Sequence, residues 1–374
     1  MISAGRIMAV MIKEFVQLTR DRLTYAMILA VPIVQLLLFG YAINNDPRHL
    51  PAIVLDQDRS AFSRSALSAL ANTGYFRFVG EAASPRELDA ALESGRAQFA
   101  ITVPADFSQR VVRGDGAQIL IEADASDPTT VGGAVSAAAG LPGQALAHDL
   151  KGALAARAGA APFEILVHRR YNPENVTAYN IVPGLLGIVL SMTLVMMTAL
   201  ALTRERERGT METLLSTPVR PLEVMIGKLA PYVGIGLIQT AIILVLARLL
   251  FGVPFMGGWA ALSIGVVLFI VGSLSLGFFF STLARSQLQA MQMSVFYLLP
   301  SLLLSGFMFP FRGMPGWAQA IGEIIPVTHF LRIVRGALLK GVGIEATWPS
   351  LLALTAFVAA MTALAMSRYR TTLD

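Results

Sequence analysis

Six apolar runs recur along this 374-residue sequence, at 23–43, 177–203, 229–251, 259–284, 289–310 and 348–367. Each approaches the roughly 20 residues that an α-helix needs to cross a hydrocarbon layer about 30 Å thick. Lipid offers no partner to backbone N–H and C=O groups, so an apolar run that crosses it must be helical. The sequence therefore predicts an α-helical polytopic membrane protein with six transmembrane helices. Its charge content agrees: 14% of residues are charged and 55% are hydrophobic, whereas soluble domains carry about 25% charged residues. The first run is longer than a secretory signal needs and follows a charged lead-in at 1–22, which predicts an uncleaved signal anchor.

The long interval between the first two runs has a different character. Residues 44–176 hold 12 Lys and Arg against 15 Asp and Glu, out of 29 and 24 in the whole chain. The overall charge of +5 therefore resides in the segments flanking the apolar runs and does not describe a nucleic-acid-binding surface. Apolar, β-rich stretches at 52–55, 76–79, 99–103, 119–121 and 165–167 alternate with helix-compatible stretches at 60–71, 85–94 and 105–112. Pro85 and Pro104 suit the first turns of two of these helices. An Ala/Gly-rich stretch at 130–161 predicts one or two further helices. The interval is expected to be an inserted extracytoplasmic α+β domain. With the N-terminus inside, the short inner segments carry 12 Lys and Arg and the short outer ones 5. That asymmetry predicts a multi-pass membrane protein with both termini cytoplasmic and the domain at 44–176 outside.

Several chemistries are excluded. There is no cysteine, and the four histidines (His49, His148, His168 and His329) show no metal-ligand spacing. No metal site and no catalytic residue is expected. The central part of every apolar run lacks Asp, Glu, Lys and Arg, with Arg248 and Arg285 near ends. Ion-coupled transporters need such intramembrane groups, and membrane hydrolases need a nucleophile, a base or a metal. Ser191, Thr193, Gln239, Thr240, Ser273, Ser275, Gln289 and Gln292 read as interhelical hydrogen-bonding groups. A phosphate loop is absent too: ahead of Gly227–Lys228, Leu222 stands where its first glycine belongs. If this chain drives transport, the energy comes from another polypeptide.

Three segments could do mechanical work. Residues 1–22 form an amphipathic helix on paper, with Phe15 on the apolar arc and Lys13, Arg20 and Asp21 opposite, suited to the cytoplasmic interface. The cytoplasmic loop 204–228 reads RERERGTMETLLSTPVRPLEVMIGK. Alternating Arg and Glu prolong the preceding helix. Gly209 breaks it, and Thr210 caps a short helix with Met211, Leu214 and Leu215 on one face, which Pro218 ends. A short exposed apolar helix calls for something to dock on it. The third segment, 311–343, is too charged to span and too apolar for an ordinary loop, with His329, Arg332 and Arg335 set among apolar neighbours after Pro326. It reads as re-entrant or interfacial helices on the outer face.

These stretches resemble the permease subunits of bacterial ABC-2-type exporters, in the efflux branch with a large periplasmic domain between the first two spans. The resemblance rests on KEFVQLTRDRL (13–23), on RERERGTMETLLSTPVRPLEVMIGKL (204–229) and on PVTHFLRIVRGALLKG (326–341). It implies that Glu205, Gly209, Thr210, Met211, Glu212, Leu214, Leu215, Thr217 and Pro218 contact a cytoplasmic ABC ATPase, which binds ATP and Mg while this chain binds no cofactor. It further implies a second permease copy as a homodimer, in some members a periplasmic adaptor protein, and export of a hydrophobic or amphipathic, drug- or lipid-like substrate. Membrane lipids are its surroundings and nucleic acid is no partner. Two alternatives stand beside it: a non-transporting scaffold or sensor with a ligand-binding periplasmic domain, and a lipid-modifying membrane enzyme using His329, Arg332 and Arg335, for which no nucleophile–base pair is legible.

Overall fold

The computed structural model describes residues 47–126, 128–150, 161–174, 176–207 and 221–368. The expected interfacial helix with Lys13, Phe15, Arg20 and Asp21, the run at 23–43 and the tail at 369–374 lie outside the described residues.

Strands β1 (Leu50–Asp56), β2 (Phe76–Glu81), β3 (Phe99–Val103), β4 (Ala117–Asp124) and β5 (Phe163–Arg170) form one sheet in the order β2-β1-β3-β4-β5. β1 runs parallel to both β2 and β3, β4 runs parallel to β5, and β3 and β4 are antiparallel. Parallel neighbours need a crossover of about a dozen residues or more. Helices α1 (Ala61–Asn72) and α2 (Pro85–Glu93) supply two of these, and α3 (Phe107–Arg113) joins β3 to β4. After β4 come α4 (Pro128–Ala139) and the single turn α5 (Pro142–Ala145).

Period-2 alternation sends β1 residues to both faces. Ala52 and Val54 pack with Leu70 of α1 and Phe107 of α3, while Ile53 and Leu55 pack with Leu88, Ala91 and Leu92 of α2. A sheet that is apolar on both sides needs cover on both sides. The region is therefore an α/β layer structure, not an α+β arrangement with its helices segregated. Ser60 caps α1, accepting from the Ser63 N–H at 3.1 Å, and Pro85 opens α2. Pro104 precedes α3 instead of entering it; its carbonyl accepts from Phe107 N at 3.1 Å.

The second half is helical: α6 (Thr177–Glu207), α7 (Pro221–Phe251), α8 (Trp259–Leu283), α9 (Gln287–Leu304), α10 (Gly316–Gly322), α11 (Pro326–Arg335) and α12 (Ile344–Arg368). Among the described residues four helices are long and apolar enough to cross a membrane, by length and composition: Ala178–Leu200 in α6, Leu229–Phe251 in α7, α8 and α12. The run at 289–310 is shorter as a helix than as a sequence. α9 has 18 residues, begins among Gln287, Gln289 and Gln292, and is followed at Gly306 by backbone with φ +84°.

α8 is the central helix, with 67% of its apolar window buried against 17% for α7. On α7, Ile238, Ile242, Val245 and Leu249 leave one stripe exposed at helical spacing, a face fit for lipid or another apolar surface and costly against water.

Close approach sets the α6–α8 crossing. A Cβ on Gly277 would lie 2.5 Å from the carbonyl oxygen of Val195 and 2.9 Å from Cβ of Thr198, both on α6. On the other flank of α8, a Cβ on Gly265 would meet Ile333 of α11 at 2.8 Å. Gly234 on α7, another small residue in an apolar run, has open space around it. Gly277→Val should therefore wedge α6 from α8 at about 1–3 kcal/mol. It is expected to lower the thermal midpoint of the detergent-purified chain, while Gly234→Ala leaves it unchanged or raises it.

Candidate functional site

Two ends of the helical half carry the polar chemistry. At the first, the end of α6 meets the start of α9. Glu207 accepts from the backbone N–H of Gln287 at 2.7 Å and from its side-chain amide at 2.5 Å, and Arg204 donates to the Gln287 side-chain oxygen at 3.4 Å. These two bonds, side chain first, hold the Glu207 carboxyl below its ordinary range. Ser286 caps the same helix by accepting from Gln289 N, and Gln289 accepts from Arg285 N. First-turn N–H groups of α9 are thus satisfied partly by α6. Buried Ala199, Ala284 and Ala290 close the junction below them.

Sequence reasoning read Glu207 only as one of the alternating charges prolonging α6. Its bond to Gln287 spans 80 residues and has no local signature, although the Ser-x-x-Gln pattern at 286–289 does mark the cap. Glu205 falls in the last two turns of α6. Gly209, Thr210, Met211, Glu212, Leu214, Leu215, Thr217 and Pro218 lie outside the described residues.

At the other end, the segment 311–343 folds as a helical hairpin. A 3-10 turn (Phe311–Gly313) and α10 lead into α11, which Pro326 opens at a first-turn position. α11 packs against α6, α8 and α12, and Phe330 stacks on Phe269 of α8 with ring centroids 4.1 Å apart. Glu323, the residue after α10, was not singled out by sequence, yet it organises the turn. Arg332 grips its carboxylate with two bonds of 2.6 and 3.0 Å, and Nε2 of His329 lies 2.8 Å from its carbonyl. Burial pushes the Glu323 carboxyl up, but the hydrogen bonds and charge of Arg332, helped by His329 and Arg312, hold it below its ordinary range. Burial, seconded by the Arg332 charge, pushes His329 down, against the backbone hydrogen bond and the charge of Glu323. Arg335 donates to the Gly306 carbonyl at 3.1 Å.

Pro326, His329, Arg332 and Arg335 therefore share one helix, with His329 and Arg332 converging on Glu323. They brace the hairpin. Among the described residues no group of three metal-ligating side chains occurs.

The hairpin ends by entering the sheet region. A π-helical turn (Gly336–Lys340) follows α11, and the Lys340 ammonium reaches Asp124 at the end of β4 at 2.5 Å. Lys340 also donates to the Leu92 carbonyl of α2 at 3.2 Å and lies over the Tyr171 ring at 5.1 Å. Both members of the ion pair are buried, at 9% and 8% side-chain exposure. Arg312 adds a second tie, donating to the Gly95 carbonyl. Gly341, at φ +69°, turns the chain away where a Cβ would meet the Met256 carbonyl at 3.1 Å.

Removing one partner of a buried pair strands the other charge. Lys340→Met is therefore expected to cost about 3–5 kcal/mol, read as a lower thermal midpoint. Lys340→Met with Asp124→Asn should recover part of the loss. Arg110→Ala, which breaks the half-exposed pair with Asp106, should change stability by less than about 1 kcal/mol.

Comparison with known proteins places this architecture. Residues 22–367 match the family described as ABC-2 family transporter protein. In Escherichia coli K12, the protein named "Probable multidrug ABC transporter permease YbhS" is 29% identical over 346 residues, covering 91% of this chain and 90% of that one. "Probable multidrug ABC transporter permease YbhR" is 26% identical over 96% of both chains. "Inner membrane transport permease YhhJ" is 31% identical over 86% of both. With the family match running over nearly the whole sequence, and over both the sheet region and the apolar helices, the chain belongs to the ABC-2 family of transporters.

Proposed function

We propose that this chain is the membrane-spanning permease subunit of an ATP-driven exporter whose ATPase is a separate polypeptide. The observation that carries this reading is the full-length family match on a chain with no phosphate loop and no acidic or basic residue in the middle of its apolar runs. Such a chain lacks the groups to couple to an ion gradient or to hydrolyse ATP. Relatives named as multidrug permeases support a drug- or lipid-like substrate leaving the cytoplasm or inner leaflet.

In this reading six helices cross the bacterial inner membrane, with 23–43 and α9 joining the four apolar helices, and both termini are cytoplasmic. The sheet region stands in the periplasm, where an adaptor protein could meet it. The loop with Glu205, Gly209, Thr210, Met211, Glu212, Leu214, Leu215, Thr217 and Pro218 seats in the ATPase, which holds ATP and Mg. A second copy completes the path, and exposed apolar stripes such as that of α7 offer contact surface for a homodimer. Nucleotide closure pulls on the end of α6. Its bonds from Glu207 to Gln287 pass the pull to α9, and its packing on α8 and α11 passes it to the outer hairpin.

The deciding test is co-purification of the full chain in mild detergent from its own host, probed for an ABC ATPase. An ATPase is expected with the intact chain. Leu214→Asp is expected to weaken its capture by more than about tenfold, the effect of placing a charge at an interface hot spot, while the thermal midpoint stays put. Absence of any ATPase with the loop intact would overturn the reading and favour a scaffold.

A further inference from the structure

Between the sheet region and the outer ends of the apolar helices lies a cavity of about 1100 Å³. Six cationic side chains line it: Arg48 and Arg77 from the sheet side, and Arg312, Arg332, Arg335 and Lys340 from the hairpin. The carboxylates lining it are Glu93, Asp124 and Glu323. Two of these are already engaged, Asp124 by Lys340 and Glu323 by Arg332. The wall is left with a clear excess of positive charge, against the negative balance of the whole segment 44–176.

Charge of one sign gathered in a concave, partly dehydrated space raises the local potential and invites a counter-ion. Arg312 registers this. Its side chain lines the cavity and is exposed there; burial and the charges of Arg332 and Arg77 push its pKa down, against the pull of Asp124 and Glu323. The Arg77 side chain makes no hydrogen bond or ion pair among the described residues and is exposed on β2. Ser305, which is 3% exposed and lines the same cavity, has a hydroxyl without a protein hydrogen-bond partner.

We infer that this cavity is a binding site for a phosphate-bearing amphiphile, with the headgroup of an anionic lipid as its source. Guanidinium groups suit phosphate oxygens, which they meet with paired N–H donors. The volume is that of a site for a drug-sized ligand or larger, far beyond a free phosphate ion. Apolar walls stand beside the charges, in Phe311, Met314, Leu331 and Pro349. Pro349 and Ser350 belong to α12, one of the four apolar helices, and Ser305 ends α9. The cavity therefore opens where the ends of apolar helices meet polar chain, the level at which headgroups lie. The site does not depend on the ATPase partner.

The test uses the full-length chain in a neutral detergent and titrates dihexanoyl phosphatidylglycerol, reading tryptophan fluorescence and the thermal midpoint. Dihexanoyl phosphatidylcholine, glycerol phosphate and inorganic phosphate are run alongside. Saturable binding of the anionic lipid is expected, weakened about tenfold in Arg77→Gln and in Arg312→Gln, each removing a charged hydrogen-bond donor. The choline lipid should bind at least about tenfold more weakly, since its headgroup carries a cation into a basic site. Glycerol phosphate binding as tightly as the lipid, with the same sensitivity to Arg77→Gln, supports the phosphate site and makes its source a soluble ester. Binding that is unchanged in Arg77→Gln, whose unpartnered side chain leaves the fold intact, overturns the proposal. So does the lack of saturable binding by any of the anions.

Discussion

Among the described residues the apolar clusters fall into two groups, one on the faces of a five-stranded sheet and one among the long helices. Tyr171, just after β5, packs against the helical group, and beside it polar atoms make the contact between the two. Its centre is the buried ion pair of Lys340 with Asp124, backed by the bond from Lys340 to the Leu92 carbonyl and by Arg312 on Gly95. Burying two charges is costly unless they are closely paired and further hydrogen-bonded. Asp124 meets that condition, accepting also from Ser126 N at 3.1 Å. A joint of this kind is directional: it specifies one seating of sheet on helices, where an apolar contact would tolerate many.

The helical half depends on a second constraint, that α6 and α8 approach closely enough for a glycine to face backbone. Around that pair, α11 is held by the Phe330–Phe269 stack and by Ile333 against Gly265. α6 touches α7, α8, α9 and α11, so a displacement of one end of α6 cannot be absorbed locally. Close-packed interiors transmit such strain. The bonds of Glu207 to the first turn of α9 extend this coupling to the helix that leads into the hairpin at 311–343.

Apolar periodicity made much of this legible. The alternating stretches at 52–55, 99–103 and 119–121 sit within β1, β3 and β4, and four of the six apolar runs correspond to α6, α7, α8 and α12. Pairing direction was not legible, because alternation says which face a residue takes and nothing about its neighbour's sense. That is why the α+β expectation gave way to a mixed, mostly parallel α/β layer. Glu323, Glu207 and Asp124 escaped notice for a related reason. Each is an ordinary carboxylate until a partner 9, 80 or 216 residues away is placed beside it. Arg332 and Lys340 were visible as charges out of place in an apolar run, and the structure supplies their partners. Gly234 shows the reverse: it is a small residue in an apolar run, yet it faces open space.

The separation between Asp124 and Lys340 has a consequence for biogenesis. Ribosomes add about 5–20 residues per second, so about 10–40 s pass between synthesis of the aspartate and arrival of its lysine, 216 residues later. The sheet strands, complete by Arg170, can pair and bury their faces in that interval. The hairpin reaches them only once α6, α7, α8 and α9 have been made. The joint therefore unites a carboxylate made early with an ammonium made late, and it closes only after the long helices between them have been synthesised.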